Sequence, residues 1–253
     1  MRQLTAALWL LGLGCSGPAR PAPSAPDAAR FPGGVSVSAL PGGNGVLEVT
    51  ALTLRKGEHN VEVLATLKNV GDVPACHAAF SVELFDAQEQ SLAAGITGLL
   101  TRQFFRFRDR AGGIGTIAAC IAPGARAMAA ISELPQELAV EDIGFIVYRC
   151  PYTALDVEPI EGLAVERVSA LARNVGTAYT GTLINSLDVR VDKPSVTVFA
   201  LDGVGRPLGY AIGAGDVTVP PGGRWEFETS TMDAAGVESL AYPAGALGPS
   251  ERL

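Results

Sequence analysis

From Val61 onward the chain alternates. Val61, Val63, Ala65 and Leu67 interleave with Glu62, Leu64, Thr66 and Lys68. A period of two predicts a half-buried strand, with one face on a core and the other in water. Asn69 to Ala75 reads as a loop. Phe80, Val82 and Leu84 then alternate with Ser81 and Glu83, which predicts a second strand. Pro123-Gly124 predicts a tight turn before a strand at Arg126 to Ile131, and a strand at Ile143 to Tyr148 follows. Later, Trp225 and Phe227 alternate with Arg224, Glu226 and Glu228. A last strand around Val237 to Tyr242 mirrors Val140 to Phe145.

These patterns repeat. At a constant shift of 116, Leu67, Asn69, Asp72, Val73, Val82, Asp86, Leu92 and Ile96 fall on Leu183, Asn185, Asp188, Val189, Val198, Asp202, Leu208 and Ile212. Pro123-Gly124 and Pro221-Gly222 match at a shift of 98, so the first copy carries 18 extra residues between Ile96 and Cys120. A period near 100 residues is that of a tandem domain. The expected fold class is all-β, with antiparallel β-sandwich domains at 45–155 and 156–253 and an inserted hairpin at about 97–119. Composition agrees: aromatic residues are only 6%, against 30 glycines and 17 prolines.

The first 44 residues differ in kind. Arg2 is followed by an apolar run, Leu4 to Leu13, too short to span a bilayer as a mature helix. The run ends at Leu11-Gly12-Leu13-Gly14-Cys15, which resembles a bacterial lipoprotein signal. There, small residues precede a cysteine that is acylated and becomes the new N-terminus. Gly12 departs from that pattern, which usually has Leu at this place. The resemblance implies a signal peptide at 1–14, lipidation of Cys15 and a cell-envelope address through a lipid anchor in the membrane. Ser16 after the cysteine favours the outer membrane or surface over the inner membrane. The alternative is an ordinary secretory signal that happens to hold a cysteine. Residues 15–44 hold six prolines and almost no large apolar side chain, so they read as an extended tether.

Beyond the signal, the pattern of alternating strand, Asn, loop, strand ending in Asp, and Pro-Gly turn resembles the FxLYD-type immunoglobulin-like modules of bacterial envelope proteins. Asn69, Phe80, Val82, Leu84, Phe85, Asp86 and Gly124 carry the match in the first copy. Asn185, Val198, Leu201, Asp202 and Gly222 carry it in the second, which departs at Val196 and Ala200. The resemblance implies two tandem immunoglobulin-like sandwiches with no shared catalytic residues, in a binding or spacer role.

Candidate chemistry is sparse. The net charge of −7 argues against a nucleic-acid partner. The only histidines are His59 in a turn and His77 at a strand start. No HExxH, P-loop or GxSxG motif is present, and neither a metal nor a cofactor is expected. His77 adjoins Cys76, but neighbouring strand residues point to opposite faces, which argues against a shared site. Asp86 and Asp202 are expected to cap turns. Besides Cys15 there are Cys76, Cys120 and Cys150. Export makes a disulfide reasonable, and three cysteines permit three single bridges. A Cys76–Cys150 bridge is expected if those strands are neighbours, leaving Cys120 buried and free.

The inserted stretch, Thr101 to Gly113, is the candidate partner-binding site. On a strand, Phe105 and Phe107 share one face and Arg106, Arg108 and Arg110 the other, with Arg102 just upstream. Gly112-Gly113 signals a hairpin turn. One reading packs the phenylalanines on the sandwich and leaves the arginines in water. The other is a docking surface for an unknown envelope protein or for anionic headgroups, because arginine and aromatic residues dominate interface hot spots. The function expected is a non-catalytic, lipid-anchored envelope protein acting as a partner-binding or structural accessory module. The alternative is an extracytoplasmic enzyme with an unrecognised site.

Overall fold

The computed structural model describes residues 29–30, 36–39, 45–56, 60–101, 103–107, 117–135, 137–155, 157–160 and 162–247. Among these the protein is all-β, with one short 3-10 turn at Val140–Asp142 and no α-helix.

The first half holds β1 (Ala29–Arg30), β2 (Ser36–Ala39), β3 (Leu47–Lys56), β4 (Val61–Asn69), β5 (Ala75–Cys76), β6 (Ala79–Phe85), β7 (Ser91–Gly98), β8 (Phe104–Phe107), β9 (Ile117–Ile121), β10 (Arg126–Ile131), β11 (Phe145–Arg149) and β12 (Thr153–Ala154). β13 (Val157–Ile160) leads into the second half. There follow β14 (Leu163–Ala172), β15 (Thr177–Asn185), β16 (Val191–Leu201), β17 (Pro207–Ala214), β18 (Thr218–Val219), β19 (Arg224–Glu228), β20 (Ser239–Ala241) and β21 (Ala244–Leu247). In the first half, a sheet ordered β1-β2-β11-β6-β7 faces one ordered β10-β4-β3. Between them lie Val61, Val63, Ala65 and Leu67 of β4, Phe80, Val82 and Leu84 of β6, and Ile146 of β11. The second half has its own core, built on Leu183, Val196, Val198, Ala200, Ala211 and Phe227. Its sheets are β14-β15-β19, and β16 flanked by β17, β18, β20 and β21.

Local chemistry explains why the same strand ends recur. Asn69 is fully buried and donates from Nδ2 to the carbonyls of Val73 and Ile121, both at 2.8 Å. Its Oδ1 accepts from the Gly71 amide. Asn185 donates to Val189 and Val219 and accepts from Leu187. A buried amide must find partners, and here it ties a loop to the far strand. Asp86 Oδ1 accepts from the amides of Gln88 and Gln90, and Asp202 Oδ1 from those of Val204 and Arg206. Both are the expected Asp turn caps. The left-handed position of each turn is Glu89, φ 62°, in the first half and Gly205, φ 79°, in the second. Glycine adopts that conformation without strain. The bonds to Val73, Gly71 and the Asp86 turn recur at the 116 shift; the Ile121 carbonyl, and the turn amides of Gly124 and Gly222 bonded to Asn69 and Asn185, recur at the 98 shift.

Three expectations change. β4 is not half-buried. Its outward residues Leu64 and Thr66 are 0% and 3% exposed, because the second half lies on that face. Thr66 Oγ1 donates to the Gly205 carbonyl at 3.3 Å, and Arg55 Nη1 to the Leu208 carbonyl at 3.1 Å. Arg55 Nε also donates to Glu62, which neutralises a carboxylate taken out of water. Second, the stretch 15–44 is not all tether. Its residues Ser36–Ala39 form β2 and pair in parallel with β11. A strand needs only a vacant sheet edge, not a core of its own, which composition does not reveal. Third, the disulfide joins Cys76 to Cys120, with Cα atoms 4.1 Å apart. β5 lies between β12 and β9, and Cys76 stands directly opposite Cys120 on β9. Its other neighbour is Thr153, three residues beyond Cys150. Cys150 is the free, buried thiol.

Candidate functional site

The inserted segment is a hairpin: β8 pairs antiparallel with β9 through Phe104–Ala119, Phe105–Ala118 and Arg106–Ile117. Its other edge does not face water. β8 also pairs with β13, the connector between the halves, through four residue pairs from Phe104–Ile160 to Phe107–Val157. The sheet β12-β5-β9-β8-β13 therefore runs from the end of the first half to the start of the second. The Cys76–Cys120 bridge staples its first-half side.

Side chains carry the hairpin into both halves. Phe104 is 8% exposed and belongs to the core of the second half, beside Leu163, Tyr179 and Leu183. The chain makes room for it with a glycine. A Cβ on Gly162 would lie 2.2 Å from Phe104 Cδ2. Phe105 points the other way, as alternation requires, and packs at 4% exposure with Cys76 and Cys120, flanked by Leu155 and Val157. Arg106, on the Phe104 face, donates from Nη2 to Asp188 Oδ2 at 2.7 Å. That ion pair is partly open, with side chains 35% and 59% exposed, so it fixes register more than it adds stability. Arg106 Nε is buried without a hydrogen-bond partner. Gln103 Oε1 accepts from the Ala122 amide, which anchors the root of the hairpin.

The sequence pointed to Phe105, Phe107 and the arginines. Phe105 is core and Arg106 is engaged by the second half. Arg102, Arg108, Arg110 and Gly112-Gly113 lie outside the described residues, as do Cys15 and His59; of Phe107 only the backbone pairing is described. Phe104, the residue that reaches furthest into the second half, was missed. The signal was there: in Phe104-Phe105-Arg106-Phe107 an aromatic shares the face otherwise read as basic.

The cross-strand position of the disulfide has a counterpart. At the two shifts, Cys76 and Cys120 map to Asp192 and Thr218, which also stand opposite each other. There the link is a hydrogen bond, Thr218 Oγ1 to Asp192 Oδ1 at 2.5 Å. The next residues, His77 and Lys193, share a left-handed backbone at φ 48° and 49°. His77 is thus a strand-junction residue.

Other candidate chemistry is quiet. The Cys150 thiol, buried in the first core, is pushed up to about 12 by desolvation, which keeps it protonated and unreactive. Hydrogen bonding from the Arg206 amide holds the Asp202 carboxyl below its ordinary range. Among the described residues, no three His, Cys, Asp or Glu side chains converge as a metal site would require. One cleft of about 510 Å³ lies where the halves meet, lined by Arg126, Leu201, the Asp202–Gly205 turn, Glu238 and Ser239.

No family model matches the chain. No curated protein matches it either. Among solved structures it is similar to red sea bream transglutaminase, at 12% identity and a TM-score of 0.19. That alignment takes in 78% of this chain and 31% of the transglutaminase, so the chain spans less than a third of its length. At so low a TM-score the likeness carries neither fold nor function across.

Proposed function

We propose that this chain is a non-catalytic accessory protein of the bacterial cell envelope, anchored by a lipid on Cys15. In this reading two tandem immunoglobulin-like sandwiches are held by the hairpin as one body that presents a surface to an envelope partner. The observation that carries it is the seating of Phe104. A segment inserted in one half supplies a core side chain to the other, which is how a spacer resists bending between modules. The residues that stood out as candidate chemistry support the same reading. Asn69, Asn185, Asp86, Asp202 and the Cys76–Cys120 pair each hold a turn or a strand junction. The address rests on the signal-like segment ending in Cys15, because one apolar run of that length does not anchor a mature protein and acyl chains do.

The test is acyl labelling and membrane fractionation of the wild type and of Cys15→Ala. The wild type is expected to take up labelled fatty acid and to sediment with membranes, and the variant to do neither. An unlabelled wild type, or a variant still on membranes, removes the anchor from the proposal.

A further inference from the structure

We infer that the outer edge of β20 is a strand-addition seat for an extended segment of a partner protein. In the first half, β11 pairs with β6 on one side, Phe145, Ile146 and Val147 facing Phe85, Leu84 and Glu83. On its other side β11 takes β2 in parallel, Phe145, Ile146 and Val147 facing Ser36, Val37 and Ser38. In the second half, Ser239, Leu240 and Ala241 face Leu201, Ala200 and Phe199. Those are the residues 116 beyond Phe85, Leu84 and Glu83, so β20 is the counterpart of β11. Among the described residues β20 pairs with β16 alone, and no strand takes the place of β2.

Exposure records the difference. Ile146 and Val147 are 0% and 3% exposed, while their counterparts Leu240 and Ala241 are only half-buried. A sheet edge presents a row of backbone donors and acceptors, and natural edges are blunted by proline, charge or covering segments. Here the proline is Pro243, one step past the positions that β2 covers in the first half. Ser239–Ala241 keeps its amides. The occupant is argued from β2, which shows what the equivalent edge accepts: a short run of small residues, Ser36-Val37-Ser38-Ala39, running parallel. A partner segment of that kind would gain affinity from main-chain bonds and specificity from the side chain beside Leu240. This names the kind of partner for the accessory role and so rests on that reading. The assay uses the unlipidated chain, so its failure leaves the anchoring test untouched.

The probe is a fluorescein-labelled peptide of residues 33–40, Gly-Gly-Val-Ser-Val-Ser-Ala-Leu, added to the Cys15→Ala chain. Saturable binding tighter than about 1 mM is expected, with amide exchange at Ser239–Ala241 slowed at least about fivefold. A peptide with Val37→Pro should not bind, nor should the wild-type peptide bind a Leu240→Lys chain whose amide-exchange protection in β15 and β16 shows an intact second half. Absent binding, protection of Phe145–Arg149 instead, or retained binding to Leu240→Lys overturns the inference. So does a free chain that sediments as a dimer with Ser239–Ala241 already protected, since a second copy then holds the seat.

Discussion

Phe104→Ala isolates the hairpin's hold on the second half. The ring is 8% exposed and sits among Leu163, Tyr179 and Leu183, apart from the first core. Removing a buried phenylalanine costs about 3–5 kcal/mol, the spread reflecting how far the site collapses. Collapse here is hindered on one side by the Gly162 backbone, which already lies against the ring. The lower end of that range, about 3 kcal/mol, is the working figure. For a unit of roughly 100 residues, each kcal/mol moves the midpoint by about 4–8 °C, so the second half should melt at least about 12 °C lower. Trp225 makes the assay selective. It packs against Phe227 in the second half, and Trp9 lies in the signal segment. The fluorescence transition of the processed chain therefore reports the second half alone. The Phe105→Ala variant is the control: its ring packs on the disulfide side, so its Trp225 transition should move much less. If Phe104→Ala leaves the Trp225 midpoint within about 4 °C of wild type, a shift worth no more than roughly 1 kcal/mol, the hairpin does not complete the second core.

Other outcomes follow from the same geometry. Unreduced peptide mapping should yield a Cys76–Cys120 peptide. Replacing both cysteines by serine should cost about 4 kcal/mol in denaturant titrations, the loop-closure value for cysteines 44 residues apart. The double change Asp192→Cys with Thr218→Cys should close a second bridge at the matching position, read as no gain in titratable thiols over the wild type until the chain is reduced. Asn69→Ala and Asn185→Ala should each cost about 3 kcal/mol, because each leaves one buried carbonyl and two further backbone groups without their partner; a loss below about 1 kcal/mol for either would deny the shared role. The Cys150 thiol rises from 9.0 to about 12 on folding, so the fold favours its protonated form. That stability is intact below about pH 9 and falls by about 1.4 kcal/mol for each pH unit above it, until the folded-state value is reached. Cys150→Ala should flatten the alkaline limb of a stability-against-pH curve, and native Cys150 should resist alkylation at pH 8.

Much of this was legible in the chain. Asn69, Asn185, Asp86 and Asp202 each act on residues two to four positions away, and such local chemistry leaves a fixed spacing in sequence. The change of shift from 116 to 98 located the insertion for the same reason, since the Asn and Pro-Gly features bracket it. What escaped was every choice of neighbour. Alternation shows that Cys76 lies on a strand but not that β9, rather than the segment holding Cys150, lies beside it. Alternation also marks Leu64 as outward without revealing that the second half covers it. Phe104 was hidden because the arginines around it made its face read as solvent, when that face is the seam between the halves.

If the hairpin holds the two halves as one body, as proposed, their separation is fixed. The most direct measurement is the distance distribution between spin labels on Ile96→Cys and Val175→Cys. Both sites are exposed, at 67% and 75%, one on β7 and the other in the β14–β15 turn. A single narrow distribution is expected, which broadens when Phe104→Ala and Arg106→Ser are combined. A broad distribution with the hairpin intact, or one that the double substitution leaves unchanged, would contradict it.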